Sequence, residues 1–274
     1  MGDIDVPAPG MDITKPNIAR VYDYLLGGRD NFAVDREVAE LILRVMPDAR
    51  QAPRSNRGFL RRAVRHLAGE AGIRQFIDIG SGLPTRGNVH EIAQAIDPKA
   101  RVVYVDYDPV VVAHTRALLP DDDFTSVILG DLRAPESILD DPTVRGMIDF
   151  DQPVALLLLL LLHHINDDDD PPGIVATLRA AVPAGSHLAI SHLHNPGSRR
   201  PEDAELARIG EEIFQRSYGV GRWRDVDEIV SFFGDWDLIP PGLVPTTEWR
   251  PDPGDDQIKY LTHYTVLGGV AKKT

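Results

Sequence analysis

Between Asn17 and Leu67 apolar residues return every three or four positions, as in Val38, Leu41, Ile42 and Val45, which is the spacing of one helix face. Three helices are predicted, over 17–26, 35–45 and 55–67, the first stopping at Gly27-Gly28 and the second before Pro47. From residue 76 the pattern changes to short runs apolar on both faces, at 76–79, 102–105, 126–129, 154–162 and 187–191, separated by helical stretches near 89–96, 109–119 and 173–182. Strands without a polar face that alternate with helices predict a parallel sheet covered on both sides, a doubly wound α/β fold. Helices over 202–215 and 225–233 follow, and 260–270 alternates as an edge or antiparallel strand would. Residues 1–16 carry three prolines and no periodicity, so a disordered or loosely draped tail is expected there. No repeat or long linker divides the remainder. It is expected to be a single domain over 17–274, with a helical cap (17–72) on a core (73–274).

Composition narrows the chemistry. The 274 residues carry a formal charge of −13 and Cys 0. Without cysteine there are no disulfides, thiol nucleophiles or thiolate-held metals, which agrees with a reducing cytoplasm. The acidic balance repels phosphate backbones, so no nucleic-acid partner is expected. Residues 1–10 hold no lysine or arginine and no apolar core of the kind a secretory leader needs, and the apolar run 154–162 is short of the roughly 20 residues that span a bilayer. Neither export nor membrane insertion is expected. The run Asp167 to Asp170 lacks the spaced ligands and turn glycine of a calcium loop and reads as a solvated loop and helix start.

The most informative stretch is Phe76-Ile77-Asp78-Ile79-Gly80-Ser81-Gly82-Leu83-Pro84, a strand entering a Gly-x-Gly turn before a helix. Open α/β sheets bind ligands beyond the carboxyl ends of their strands, and glycine lets a ligand approach the main-chain N–H groups. Acids stand at three successive strand ends: Asp78, Asp106 and Asp131. Asp106 lies 24 residues past Gly82, near the roughly 20 expected of a carboxylate that binds ribose hydroxyls. Asp131 is placed to accept from an adenine amine, and Leu132 to supply an N–H and an apolar wall. Strand-end aspartates that merely cap the next helices are the plainer alternative. A dinucleotide oxidoreductase using NAD is a competitor, but Thr85 replaces the third glycine of that fingerprint and Pro84 precedes it. An acid two residues before the first glycine suits a ligand with an ammonium rather than a pyrophosphate. S-adenosylmethionine is such a ligand. No P-loop pattern is present.

The order Asp78-x-Gly80-x-Gly82, Asp106, Gly130-Asp131-Leu132 and Leu162-His163-His164-Ile165 resembles a class I S-adenosylmethionine-dependent methyltransferase. Over nearly the whole chain the sequence resembles an actinobacterial family of S-adenosyl methyltransferases, through Val21-Tyr22-Asp23-Tyr24-Leu25-Leu26-Gly27-Gly28-Arg29-Asp30-Asn31-Phe32, Gly82-Leu83-Pro84-Thr85 with Gly87-Asn88-Val89-His90-Glu91, and the leucine strand before Asp167. The resemblance implies a seven-stranded, Rossmann-like sheet with its last strand antiparallel, and a cofactor set of Asp78, Gly80, Ser81, Gly82, Asp106, Tyr107, Asp131 and Leu132. A looser likeness to leucine carboxyl methyltransferases, in the phrase from Gly80 to Arg86, implies that Arg57 or Arg54 holds the cofactor carboxylate, although Asn56-Arg57-Gly58-Phe59 departs from that family's arginine-threonine pair.

Methyl transfer from a sulfonium is an in-line displacement, so the protein mainly positions the acceptor and excludes water. If a base assists, His163, His164, His192 and His194 stand at the ends of the fourth and fifth strands, with His163 the first candidate. Strand-end histidines bonded to backbone are the alternative. Adjacent His163 and His164 on a strand would point to opposite sides, against a shared metal ion. Tyr22, Tyr24, Asn31 and Phe32 either bury the first helix or form a lid hinged at Gly27-Gly28. The sequence therefore predicts a cytoplasmic methyltransferase acting on a small-molecule acceptor, with a cofactor-binding protein that does not turn over as the second reading.

Overall fold

In the computed structural model, which describes residues 12–85, 87–120, 122–254 and 261–274, five parallel strands form the centre of the sheet. These are β1 (Gln75–Ile79), β2 (Arg101–Asp106), β3 (Thr125–Leu129), β4 (Ala155–Leu159) and β5 (His187–Leu193). They lie in the order β3-β2-β1-β4-β5, so the direction of winding reverses beside β1. β1, β4 and β5 are buried at every position, which is why they lack a polar face. Successive residues of each strand serve opposite layers. Ile77, Val103, Leu156 and Leu188 pack on one side and Phe76, Val102, Ala155 and Ala189 on the other.

The closing strand β8 (Val266–Lys272) runs antiparallel to β5. Beyond it the sheet holds two two-residue strands, β6 (Asp237–Leu238) and β7 (Val244–Pro245), so it has eight strands rather than the expected seven. Pro240, Pro241 and Pro245 supply no N–H to a ladder, so the edge breaks into pieces. The strand expected over 260–270 begins at Val266, after a 3-10 turn over Leu261–Thr265; residue 260 is outside the described residues, as are 1–11 of the expected tail. The strand expected over 154–162 stops at Leu159, because Leu160 adopts a positive φ of 50° and turns the chain into a 3-10 helix, Leu162–His164.

Three helices precede the sheet: α1 (Ile18–Leu26), α2 (Ala33–Val45) and α3 (Gln51–Gly69). α3 tolerates Pro53 because it falls in the first turn, where an N–H has no intrahelical acceptor. Its Phe59, Leu60, Val64 and Leu67 pack into the sheet's own core. α4 (Val89–Ile96), α5 (Pro109–Leu118) and α8 (Pro171–Ala180) are the crossover helices predicted from spacing. α6 (Pro135–Leu139) and α7 (Pro142–Met147) are too short to show a period and were not predicted. α9 (Pro201–Tyr218) packs against α1 and α2 in a third cluster containing Val21, Leu25, Ile42, Met46, Ile213 and Trp223, and α10 (Val226–Ser231) follows it. Of the aspartate run, Asp170 caps α8 by accepting from the Gly173 N–H, whereas Asp167 pairs with Arg222 and Arg224. Among the described residues no helix is long and apolar enough to cross a membrane.

Candidate active site

Beyond the carboxyl ends of β1, β2, β4 and β5 lies a cavity of about 520 Å³, with α1 and the end of α9 over it. A site at this rim, beside the reversal of strand order, is where open α/β sheets bind ligands. The glycine turn forms one wall. Gly80 and Gly82 have φ of 71° and 66°, values L side chains rarely adopt. A Cβ at Gly80 would also sit 2.5 Å from a Leu161 methyl, whereas one at Gly82 would meet nothing within 4 Å. The turn is fixed to β2: Gly80 N–H donates to the Val105 carbonyl at 2.8 Å and Gly82 N–H to Asp106 Oδ2 at 2.9 Å.

Asp106 is buried, and its Oδ1 accepts from the Asp108 N–H. Burial raises its pKa, against the hydrogen bonds from the Asp108 and Gly82 backbone. Asp78 is also buried, and burial pushes it up to about 7, opposed by the Arg57 guanidinium and reinforced by Asp106. Arg57 reaches the cavity from α3 and donates to the Gly87 carbonyl at 2.7 Å; Arg54, its alternative, is exposed and is not among the lining residues. Tyr107 is exposed at the rim and Leu132 is buried in the wall. Asp131 is held by Arg133, through hydrogen bonds to both carboxylate oxygens that lower its pKa. Ser81 Oγ and Thr85 Oγ1, both in the turn, are buried and have no partner among the described residues. Every predicted cofactor residue therefore lines one cavity, and the two orphaned hydroxyls fit a ligand with polar groups beside Asp78 and Asp106.

The other half of the cavity is aromatic and apolar. His163 and His164 line it, with Phe214, Tyr218 and Trp223 from the far end of the chain. The expectation that the two histidines point to opposite sides is not met: their ring centroids lie 4.0 Å apart. They occupy a 3-10 turn rather than a strand, so the alternation of strand side chains does not apply. No cluster among the described residues is arranged as a metal site. Burial holds the pKa of His163 well below the ordinary value, and that of His164 at about 3. His192 and His194 bond instead to backbone carbonyls and to Arg224.

The N-terminal phrase forms part of the roof. Tyr22 lines the cavity, donates to the Pro53 carbonyl and accepts from Asn56, which in turn accepts from Ser191 at the end of β5. Asp23 accepts from the Asp30 N–H and the Asn31 amide, which closes the Gly27-Gly28 loop. Tyr24 and Phe32 instead stack on Arg50 and Arg20. Asn17, which sequence reasoning missed, ties α1 to the sheet rim by donating to Asp108 Oδ2 at 2.6 Å. Phe214 and Trp223 were missed as well, since nothing local separates them from ordinary core aromatics.

The chain matches the family described as S-adenosyl methyltransferase over residues 5–274. It is similar to the crystal structure of a candidate methyltransferase from Thermobifida fusca, at 43% identity and a TM-score of 0.92 over 98% of this chain and 99% of that one. A DUF574 family protein from Streptomyces avermitilis is 38% identical, with a TM-score of 0.89 over 96% of this chain and 99% of that one. An O-methyltransferase family protein from Burkholderia thailandensis, 14% identical, shares the fold at a TM-score of 0.52 over 83% of this chain and 60% of that one. No curated protein matches.

Proposed function

The chain belongs to the S-adenosyl methyltransferase family and is a class I methyltransferase that uses S-adenosylmethionine; from that premise we propose that the glycine turn holds the cofactor and that the half of the cavity lined by His163 receives a small-molecule acceptor. The observation that carries this reading is the cluster of two orphaned hydroxyls, Ser81 Oγ and Thr85 Oγ1, in a positive-φ turn beside two buried carboxylates.

Asp106, at the end of β2, accepts from the ribose hydroxyls while keeping its bond to Gly82. Asp78 and Arg57 face the methionine end, the carboxylate toward the ammonium and the guanidinium toward the carboxylate. Tyr107, Leu132 and Asp131 bound the adenine, with Asp131 keeping Arg133 as its first partner. The cofactor supplies a methyl group on a positively charged sulfur. The protein excludes water with α1 and α9 and holds the acceptor in line. His163, kept neutral at pH 7 by burial, is the candidate base, and its Nδ1 has no partner among the described residues. We read residues 17–274 as one domain, working in a reducing cytoplasm.

A small acceptor is supported by the cavity volume, which falls within the roughly 300–1,000 Å³ of small-molecule sites, and by its position beneath α1. The test is calorimetric titration with S-adenosylmethionine, followed by transfer of labelled methyl into fractionated cell extract. Binding, with label in the small-molecule fraction, is expected. Label confined to protein or nucleic acid would overturn the acceptor reading, and an Asp106→Asn variant with unchanged cofactor affinity would remove Asp106 from the site.

A further inference from the structure

The acceptor half of the cavity carries a more specific pattern. Phe214 stacks on His164, with planes at 12° and centroids 5.7 Å apart, and His163 adjoins His164. Trp223 meets Phe214 edge-on at 6.2 Å. Three nitrogens of this wall, His163 Nδ1, His164 Nδ1 and Trp223 Nε1, and the Tyr218 hydroxyl are buried without a hydrogen-bond partner among the described residues. Buried polar atoms are nearly always paired, so four orphans in one wall of the cavity call for partners on whatever fills it. The neighbouring surface from Val21, Leu25, Met46 and Leu193 is apolar and offers water little else to bind.

Charge and donor pattern restrict the occupant further. Among the described lining residues the lysine and arginine side chains are Lys15, Arg57 and Arg133, which engage Asp12, the Gly87 carbonyl and Asp131. None of these contacts is with the aromatic wall. Both histidines there are neutral at pH 7, because burial lowers their pKa values. An anionic occupant of this half would therefore lack a counter-charge. The Trp223 indole N–H only donates, so the occupant must present an acceptor atom, whereas a neutral imidazole nitrogen either gives or takes a hydrogen bond.

Building on the proposed function, we propose that the wall of Phe214, His163, His164 and Trp223 is an acceptor subsite for a planar aromatic molecule that carries no negative charge and bears a hydroxyl and a second, hydrogen-bond-accepting heteroatom. Planarity suits the Phe214–His164 stack, the heteroatom meets Trp223 Nε1, and the hydroxyl meets the histidine pair.

Binding of three probes to the full chain tests this by calorimetry, without cofactor and with it: hydroxyquinoline, naphthol, which lacks the ring nitrogen, and the saturated alcohol decalol. Hydroxyquinoline is expected to bind about fivefold more tightly than naphthol, the ratio one ordinary net hydrogen bond produces. Decalol is expected to bind at least tenfold more weakly than naphthol. Trp223→Phe should reduce hydroxyquinoline to the naphthol level and leave naphthol unchanged. If that variant fails to fold, His164→Phe, which keeps the stack on Phe214, should weaken both hydroxylated aromatics by about fivefold while S-adenosylmethionine binds as before. Decalol binding as well as naphthol, equal losses for both aromatics in Trp223→Phe, or no aromatic binding by a chain that still binds cofactor would overturn the subsite and leave the proposed function standing. Failure to bind the cofactor as well would fell the functional reading.

Discussion

Replacing Asp78 with asparagine separates the cost of an interior carboxylate from the use made of it. Burial pushes Asp78 up to about 7, and Arg57 only partly opposes that. Against an ordinary value near 4 the gap is about 3 units, or about 4 kcal/mol at roughly 1.4 kcal/mol per unit, an upper figure because a relaxing interior admits water. Between those two pH values the folded chain keeps a proton that the unfolded chain has lost. The contribution of Asp78 to stability therefore falls as pH rises from about 4 to about 7, and its full penalty stands above 7. Asparagine carries no such term, and any misfit of its amide is the same at every pH. In urea unfolding at a series of pH values, Asp78→Asn should gain on the wild type steadily up to pH 7 and then hold a constant lead, of order 2–4 kcal/mol relative to its position at pH 4. In the proposed orientation the cofactor ammonium favours the ionised carboxylate. Wild-type affinity should accordingly rise with pH up to about 7, with proton release visible in buffers of different ionisation heat, while the variant shows neither. Parallel stability curves for the two proteins would refute the reasoning.

Gly82→Ala has room for its methyl, so only the positive φ is strained; a loss of about 1–2 kcal/mol is expected in thermal unfolding, against a clearly larger loss for Gly80→Ala, where Leu161 stands in the way. Equal losses would remove the steric distinction. Asn17→Ala removes the bond to Asp108 and the cap on Arg20 N–H, so hydrogen exchange over 18–26 should accelerate, with about 1 kcal/mol lost; unchanged exchange would show that α1 is tethered elsewhere. His163, His164 and His192 are all held below their ordinary value by burial, so their stabilisation is present above 6.5 and lost as pH falls below it. At pH 5 His164 and His192 together cost about 4 kcal/mol and Asp78 returns about 2, so a net loss of at least about 2 should appear in denaturant melts, with His163 acting in the same direction as the other histidines. A flat profile from pH 6.5 to 5 would contradict this.

The parts of this molecule legible in its sequence are those whose signals are local. β1, β2, β4 and β5 are buried on both faces and hold short apolar runs without a polar face, and the glycine turn with Asp78 and Asp106 announces itself by punctuation at strand ends. The positive φ at Leu160 did not show, because no glycine or asparagine marks it. Missing it extended β4 too far and put His163 and His164 on a strand. The aromatic wall was illegible for a different reason: Phe214 reaches His163 across 51 residues of chain and Trp223 meets Phe214, and only the packing of α9 under α1 and α2 brings them together. The phrase from Tyr22 to Phe32 was conspicuous, yet the work of Asp23, whose carboxylate fills the space beside Gly28, depends on contacts the phrase makes with itself after folding.

Arg224 divides the four histidines expected at strand ends by the bonds it makes. Its guanidinium is buried and donates to the Leu162 and Ile165 carbonyls and to Asp167, so it fixes the turn that carries His163 and His164. The same group lies 3.3 Å from His192 Nε2. A guanidinium only donates, so Nε2 must accept; the ring proton is then on Nδ1, which donates to the Leu193 carbonyl at 2.6 Å. His194 spends its Nδ1 on the Arg224 carbonyl. Both rings are committed to backbone. His163 and His164 are supported by Arg224 through the carbonyls on either side of them, and their Nδ1 atoms have no partner among the described residues. One buried arginine thus divides four similar histidines into two whose rings bond to backbone and two that could serve the proposed acceptor half.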